Sequence, residues 1–157
     1  MSSKVLAKKY FIDNILSSLN INFQKSNLLN LINLDGEKTI YTSTESTPFL
    51  LSLIGNQIND QVFVVVENNE IAKKIFQDCQ SFLGSNYPIF YIPEIETHPM
   101  SGLEKNSISL AERNDALSRV IELNGKPSLI FLSAISLAQK IPEKKYFYNT
   151  LLDLKVG

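Results

Sequence analysis

The sequence predicts a doubly wound α/β domain built on a mostly parallel sheet. Three observations carry that prediction. Short apolar runs recur at Val62 to Val66, Ile89 to Ile92 and Leu129 to Leu132. Segments with helical apolar spacing lie between them, and turn-forming residues mark the changes. Continuous apolar strands belong to a sheet covered on both faces, and strands alternating with helices make that sheet parallel. Right-handed crossovers then put helices on both sides of it.

Residues 1–36 read as an N-terminal helical extension. Leu6, Tyr10, Ile15 and Leu19 fall near helical spacing within Val5 to Leu19, and Phe11 and Ile12 widen the stripe. A shorter run follows Ser26, a residue type suited to an N-cap, through Leu28, Leu29 and Leu31. Asp35 and Gly36 close the region with a turn signal.

Residues 37–157 form the α/β domain. Thr39 to Tyr41 predicts a short first strand, and the polar residues Thr42 to Thr47 connect it to a helix holding Phe49 to Ile54. Pro48 is tolerated in the first turn of that helix. The strand Val62 to Val66 leads into a helix from Glu70 to Leu83, with Ile71, Ile75, Phe76, Cys79 and Phe82 facing inward and Gly84 as its stop. Ile89 to Ile92 is the third strand, ended by Pro93, and a long connection precedes a helix from Leu110 to Leu123. Ala116, Leu117 and Val120 form its inward face. Leu129 to Leu132 is a fourth strand, Ser133 to Lys140 a short helix ended by Pro142, and Tyr146 to Leu154 a further strand.

Bulk properties narrow the function. A chain of 157 residues, 44% hydrophobic and 20% charged, is one globular domain able to bury a real core. With a net charge of −1 it has no global basic field, so DNA binding by this chain alone is expected to be weak or absent. The lone Cys79 excludes an intramolecular disulfide and a multi-thiolate metal site, and it fits a reducing compartment. The single His98 excludes paired-histidine ligand sets. No apolar run approaches the roughly 20 residues that span a bilayer, and the amino terminus lacks a signal-peptide core. A cytoplasmic protein is expected.

Three places could carry chemistry. The loop Thr42, Ser43, Thr44, Glu45, Ser46, Thr47 sits where a nucleotide-binding α/β domain keeps its phosphate cradle. Such a cradle needs glycines for close backbone approach and a lysine for the phosphate oxygens. This loop has neither, and Glu45 would set like charge against phosphate at about 4 kcal/mol for a 4 Å separation in an effective dielectric of 20. A capped polar loop is the better reading. Glu94, Glu96 and His98 alternate after the third strand and have the residue types of an acid–base or metal site. No second histidine or aspartate-rich partner is in sight, which favours a structural role. Glu112 and Arg113 open the next helix. Arg113 could bind phosphate, but a tether to Glu94 or Glu96 fits better. Cys79 reads as an inert core thiol, and Lys144 with Lys145 as solvated surface.

The stretch Ile92-Pro93-Glu94-Ile95-Glu96-Thr97-His98-Pro99-Met100 resembles the F-P-[DE]-x-E-T-L-P-Y-D phrase of bacterial transcription-repair coupling factors. Glu112-Arg113-Asn114 with Leu117 and Val120 resembles their E-R-L-x-x-L-x-x-L helix. Leu137 to Pro142 resembles their L-x-Q-x-[LIV]-P phrase, and Lys155-Val156-Gly157 their K-x-G. His98, Met100 and Asn114 depart from the pattern. The similarity covers Lys38 to Gly157, in the module that these factors share with the excinuclease B subunit.

What the resemblance implies is a helicase-like fold related to P-loop NTPases, with a degenerate phosphate loop, no cofactor and no catalysis by this chain. Pro93, Glu94, Glu96, Thr97, Pro99, Glu112 and Arg113 would be family-motif or structural residues. The complete factor displaces stalled RNA polymerase through a downstream motor and recruits nucleotide excision repair. Its partners, the excinuclease A subunit and RNA polymerase, would be met through regions beyond this chain, and the near partners would be the factor's other domains. The alternative is an ATPase domain like that of the excinuclease B subunit.

Overall fold

A computed structural model describes residues 36, 37, 39–95, 107–141 and 143. Its elements run α1 Thr47–Gln57, β1 Gln61–Val66, α2 Asn69–Leu83, β2 Ile89–Ile92, α3 Ser107–Glu122, β3 Ser128–Ser133 and α4 Ala134–Ala138. The described part is therefore α/β, with a three-stranded parallel sheet and four helices. The order β1-β3-β2 puts β3 in the centre, and all six of its residues are buried.

Local chemistry sets the boundaries. Asn68 is extended and its side chain accepts the Ile71 N–H at 2.9 Å, which starts α2. Gly84 ends it at φ 74°, a left-handed value that costs a glycine little. Asn124 and Gly125 both adopt positive φ after α3, as their turn-forming character predicts. Pro48 stands in the first turn of α1, where a missing N–H breaks no helical bond.

The register assigns each strand residue to a face. Val62 aligns with Leu129 and Val64 with Phe131, while Phe63 aligns with Ile130 and Val65 with Leu132. On the other side of β3, Phe90 aligns with Ile130 and Ile92 with Leu132. Ile75 and Cys79 of α2 pack against Leu129 and Phe131 on one face. Ala116 and Leu117 of α3 pack against Ile92, Ile130 and Leu132 on the other. α1 reaches the first face through close approach of Gly55 to Leu129, and the Tyr87 hydroxyl donates to the Gly55 carbonyl at 2.8 Å.

Several expectations need correction. Thr39 to Tyr41 is not a strand; it is exposed, with Tyr41 at 95%, because no neighbouring described strand offers it a ladder. Ile71 is 37% exposed and Ala72 takes its inward place on α2. The full apolar run of β1 is not covered on both faces among the described residues. Phe63 and Val65 are 55% and 45% exposed, since α3 lies over β2 and leaves the outer edge of that face open. The last helix is shorter than Ser133 to Lys140, because Ser133 is its cap and Gln139 is already extended. The expected helices in residues 1–35 and the strand Tyr146 to Leu154 lie outside the described residues. Among the described residues, no helix is long and apolar enough to cross a membrane.

Cys79 is fully buried on α2, its thiol donating to the Pro48 carbonyl at 3.2 Å. Burial pushes the thiol from its ordinary 9.0 up to about 11, against a smaller opposing pull from the Ser52 hydroxyl. Between those two values the native state holds a proton that the unfolded chain has released, so stability falls as pH rises through that window. We expect denaturant midpoints to drop over that range, less so in Cys79→Ala after its own packing loss is subtracted. Gly55→Val is expected to destabilise the fold by about 1–3 kcal/mol, measured by urea unfolding. Even a Cβ at Gly55 would lie 3.0 Å from the Leu129 side chain and 3.1 Å from the Tyr87 hydroxyl.

Candidate functional site

The loop before α1 uses its polar groups on itself. The Ser43 carbonyl accepts the Ser46 N–H and the Thr47 N–H, each at 3.1 Å, and the Thr47 hydroxyl at 2.9 Å. The Ser43 hydroxyl lies 2.9 Å from that of Ser46 and also accepts the Ser46 N–H at 3.3 Å. Thr42 turns its hydroxyl toward the same carbonyl at 3.4 Å. Pro48 has no N–H to give. The Ser46 and Thr47 amides are therefore directed into the chain's own oxygen atoms rather than outward. Glu45 is fully exposed, and its carboxyl is held below the usual range by its own backbone N–H and then by the Ser43 hydroxyl. Thr44 sits between them on the exposed turn.

A cavity of about 270 Å³ opens at the carboxyl end of β2. Asn69, Glu70 and Lys73 from the first turns of α2 line it, with Tyr91, Pro93 and Glu94 from the strand exit and Ser109 and Glu112 from α3. The Tyr91 hydroxyl donates to Asn69 Oδ1, which also accepts the Glu94 N–H at 3.3 Å. Burial, then the nearby Glu94 and Glu112 charges, pushes the Tyr91 phenol up to about 12, so it remains a donor at neutral pH. Glu94 is engaged as well, since Ser133 donates its hydroxyl to Oε2 at 2.9 Å. Among the described residues, no cluster of three or more His, Cys, Asp or Glu is arranged to hold a metal ion. The cleft is a polar, acid-lined recess.

Behind it lies Arg113, only 2% exposed. Its Nη1 donates to the Pro93 carbonyl at 2.8 Å and to the Ser136 hydroxyl, and its Nη2 donates to the Ser136 carbonyl at 3.0 Å. Burial lowers the guanidinium pKa, yet the group stays charged in this range. Arg113 does tether the loop, but not through Glu94; Glu96, the other expected partner, lies outside the described residues. Among the described residues no carboxylate pairs with Arg113, and Glu94 turns to Ser133 instead. The reason is geometric. The chain leaves the sheet at Pro93, Ser136 lies in the last turn of α4 just after β3, and a planar fork can satisfy both carbonyls at once. Asn114, beside it, is exposed and does not interrupt the buried face formed by Arg113, Ala116 and Leu117.

The structure thus brings Pro93, Glu94, Glu112 and Arg113 together around the exit of β2, while Thr42 to Thr47 form a separate loop. Glu96, Thr97, His98 and Pro99 lie outside the described residues. Sequence reasoning missed Asn69, Tyr91, Ser133, Ser136 and the side chain of Gln139 as participants. Gln139 accepts the Ile95 N–H at 2.8 Å and donates to the Ile95 carbonyl at 2.9 Å. The three-residue interval from Ser133 to Ser136 to Gln139 was the available signal.

Comparison with known proteins gives a consistent set of distant relatives. The transcription-repair-coupling factor of Rickettsia typhi is 26% identical over 114 residues, covering 73% of this chain and 10% of the relative. That of Rickettsia prowazekii is 25% identical over the same share of each. That of Rickettsia bellii is 31% identical over 103 residues, covering 66% of this chain and 9% of the relative. These matches support a segment related to transcription-repair-coupling factor. The chain spans about a tenth of the length of these curated coupling factors. No family model matches the chain, and neither does any solved structure.

In this coupling-factor-related segment, Arg113→Ala leaves two buried carbonyls without their donor. It is expected to cost about 2–4 kcal/mol in chemical denaturation, given roughly 1.5–3 kcal/mol for a hydrogen bond to a charged group. Arg113→Lys should restore only part of that loss, because an ammonium lacks the planar fork. Full recovery by lysine would show that charge alone is at work.

Proposed function

We propose that this chain is a non-catalytic structural and interaction module of a transcription-repair-coupling factor. In this reading it is the helicase-like domain that such a factor shares with the excinuclease B subunit, its phosphate loop having lost nucleotide binding. It would act beside other domains of a longer protein that displaces stalled RNA polymerase and recruits excision repair through the excinuclease A subunit. The distant similarity to three coupling factors supports the family side of the reading.

The observation that carries the non-catalytic side is the closed state of the Thr42 to Thr47 loop. A phosphate cradle works by pointing unpaired backbone N–H groups at the anion. Here the Ser46 and Thr47 amides are spent on Ser43, Pro48 has none, and an ionised Glu45 stands on the same turn. Opening the turn to bind nucleotide would break those bonds and bring phosphate beside a carboxylate. The cleft at Glu94 is no substitute, because its wall carries Glu70, Glu94 and Glu112 against one Lys73.

Titration of the full chain with ATP and magnesium, followed by calorimetry, is expected to give no saturable heat up to millimolar nucleotide. Saturable binding below that level, abolished by bulky replacements of Thr44 or Thr47, would overturn the scaffold reading and favour the nucleotide-binding alternative.

A further inference from the structure

Ser133, Ser136 and Gln139 recur at intervals of three, and each meets a different part of the connection leaving β2. Ser133 donates to Glu94 Oε2 at 2.9 Å, and Ser136 donates to the Ile92 carbonyl at 3.0 Å. Gln139 pairs with both the N–H and the carbonyl of Ile95, at 2.8 and 2.9 Å. Arg113 holds Ser136 from the α3 side.

What holds α4 in place is unusual for a helix on a sheet. It has five residues, far below the roughly 12–15 at which an isolated helix becomes even marginal in water. Apolar burial contributes little to its docking, since Ile135 and Leu137 are 57% and 53% exposed while Ser136 is its buried residue. Its position therefore depends on hydrogen bonds to residues 92–95 and to Arg113. The path of residues 93–95 depends in turn on α4, on Asn69 and on Arg113.

We propose that Ser133 to Gln139 is a polar strap, a conformational device by which α4 and the connection 92–95 are held or released together. Releasing α4 frees Ile95 from Gln139 and takes the Ser136 N–H from the Ser133 hydroxyl that also holds Glu94, and so loosens the wall of the cleft that Tyr91 and Asn69 share with Glu94. Because among the described residues the strap has no apolar seal, it opens well before the sheet does. Coupling of this kind is reciprocal: a change on the connection must be felt in α4 to the same degree.

Native-state hydrogen exchange of the full 157-residue chain, read by NMR at single amides, tests the device. Gln139→Ala is expected to speed exchange about fivefold at Glu94, Ile95 and Ser136 together, the factor for one net hydrogen bond, while Ile130 and Phe131 keep their protection. Glu94→Ala is expected to speed exchange at Ser136 and Gln139 by a similar factor, and the double variant by less than the product of the two. Glu94→Gln, which retains an acceptor for Ser133, is expected to leave α4 protected. Acceleration confined to the amide beside the mutated side chain would overturn the strap. So would simultaneous loss of protection in β3, or equal loosening by Glu94→Gln and Glu94→Ala.

Discussion

A buried guanidinium governs the carboxyl end of this sheet. Arg113 must be charged, and a charge removed from water is tolerable only when its donors are met. The Pro93 carbonyl and the two oxygen atoms of Ser136 meet Nη1 and Nη2. The Pro93 carbonyl stands just past the end of β2, and the Ser136 carbonyl is in the last turn of α4, where a helix leaves its carbonyls unpaired. One side chain from α3 thereby ties the exit of β2 to the helix that follows β3. The cleft beside Glu94 owes its shape to that junction, because Pro93 and Glu94 cannot move independently of it.

The middle of the sheet and its carboxyl end are built on different principles. On the α2 face, Ile75, Cys79, Leu129 and Phe131 form an apolar core, with Phe76 stacked among them and against Tyr91. Towards the carboxyl end the contacts become polar, through Tyr91 with Asn69 and Glu94 with Ser133. Function in open parallel sheets concentrates at that end. Here the same location is occupied by side chains that bind each other, which is what the structural role proposed above requires.

Strand existence and order of elements were legible because the apolar runs are short, continuous and bounded by Pro93, Gly84 and Asn124-Gly125. Ile89 to Ile92 is found with the expected bounds, and Val62 to Val66 and Leu129 to Leu132 within one residue at each end. Thr39 to Tyr41 failed because β-branched and aromatic content describes a suitable strand, whereas a strand also needs a partner. The carbonyl partners of Arg113 among the described residues were not legible at all. A carboxylate advertises itself in a sequence, but a backbone carbonyl is present at every residue. Only the fold decides which ones lose their ladder bonds. Ser136 and Gln139 were hidden for a related reason, since small polar side chains on a short helix read as solvent-facing until the helix is seen to be docked by them.

The open stretch of β1 bears on how this domain tolerates change. Phe63 and Val65 sit in the middle of a strand, in register with the fully enclosed Ile130 and Leu132, yet about half of each faces outward. In most sheets such central positions are closed to polar residues. Here, among the described residues, they offer the reverse opportunity. A threonine or lysine at Phe63 or Val65 would leave both apolar clusters intact and would blunt an adhesive edge. Solubility of the domain can therefore be engineered from within its sheet rather than from its loops.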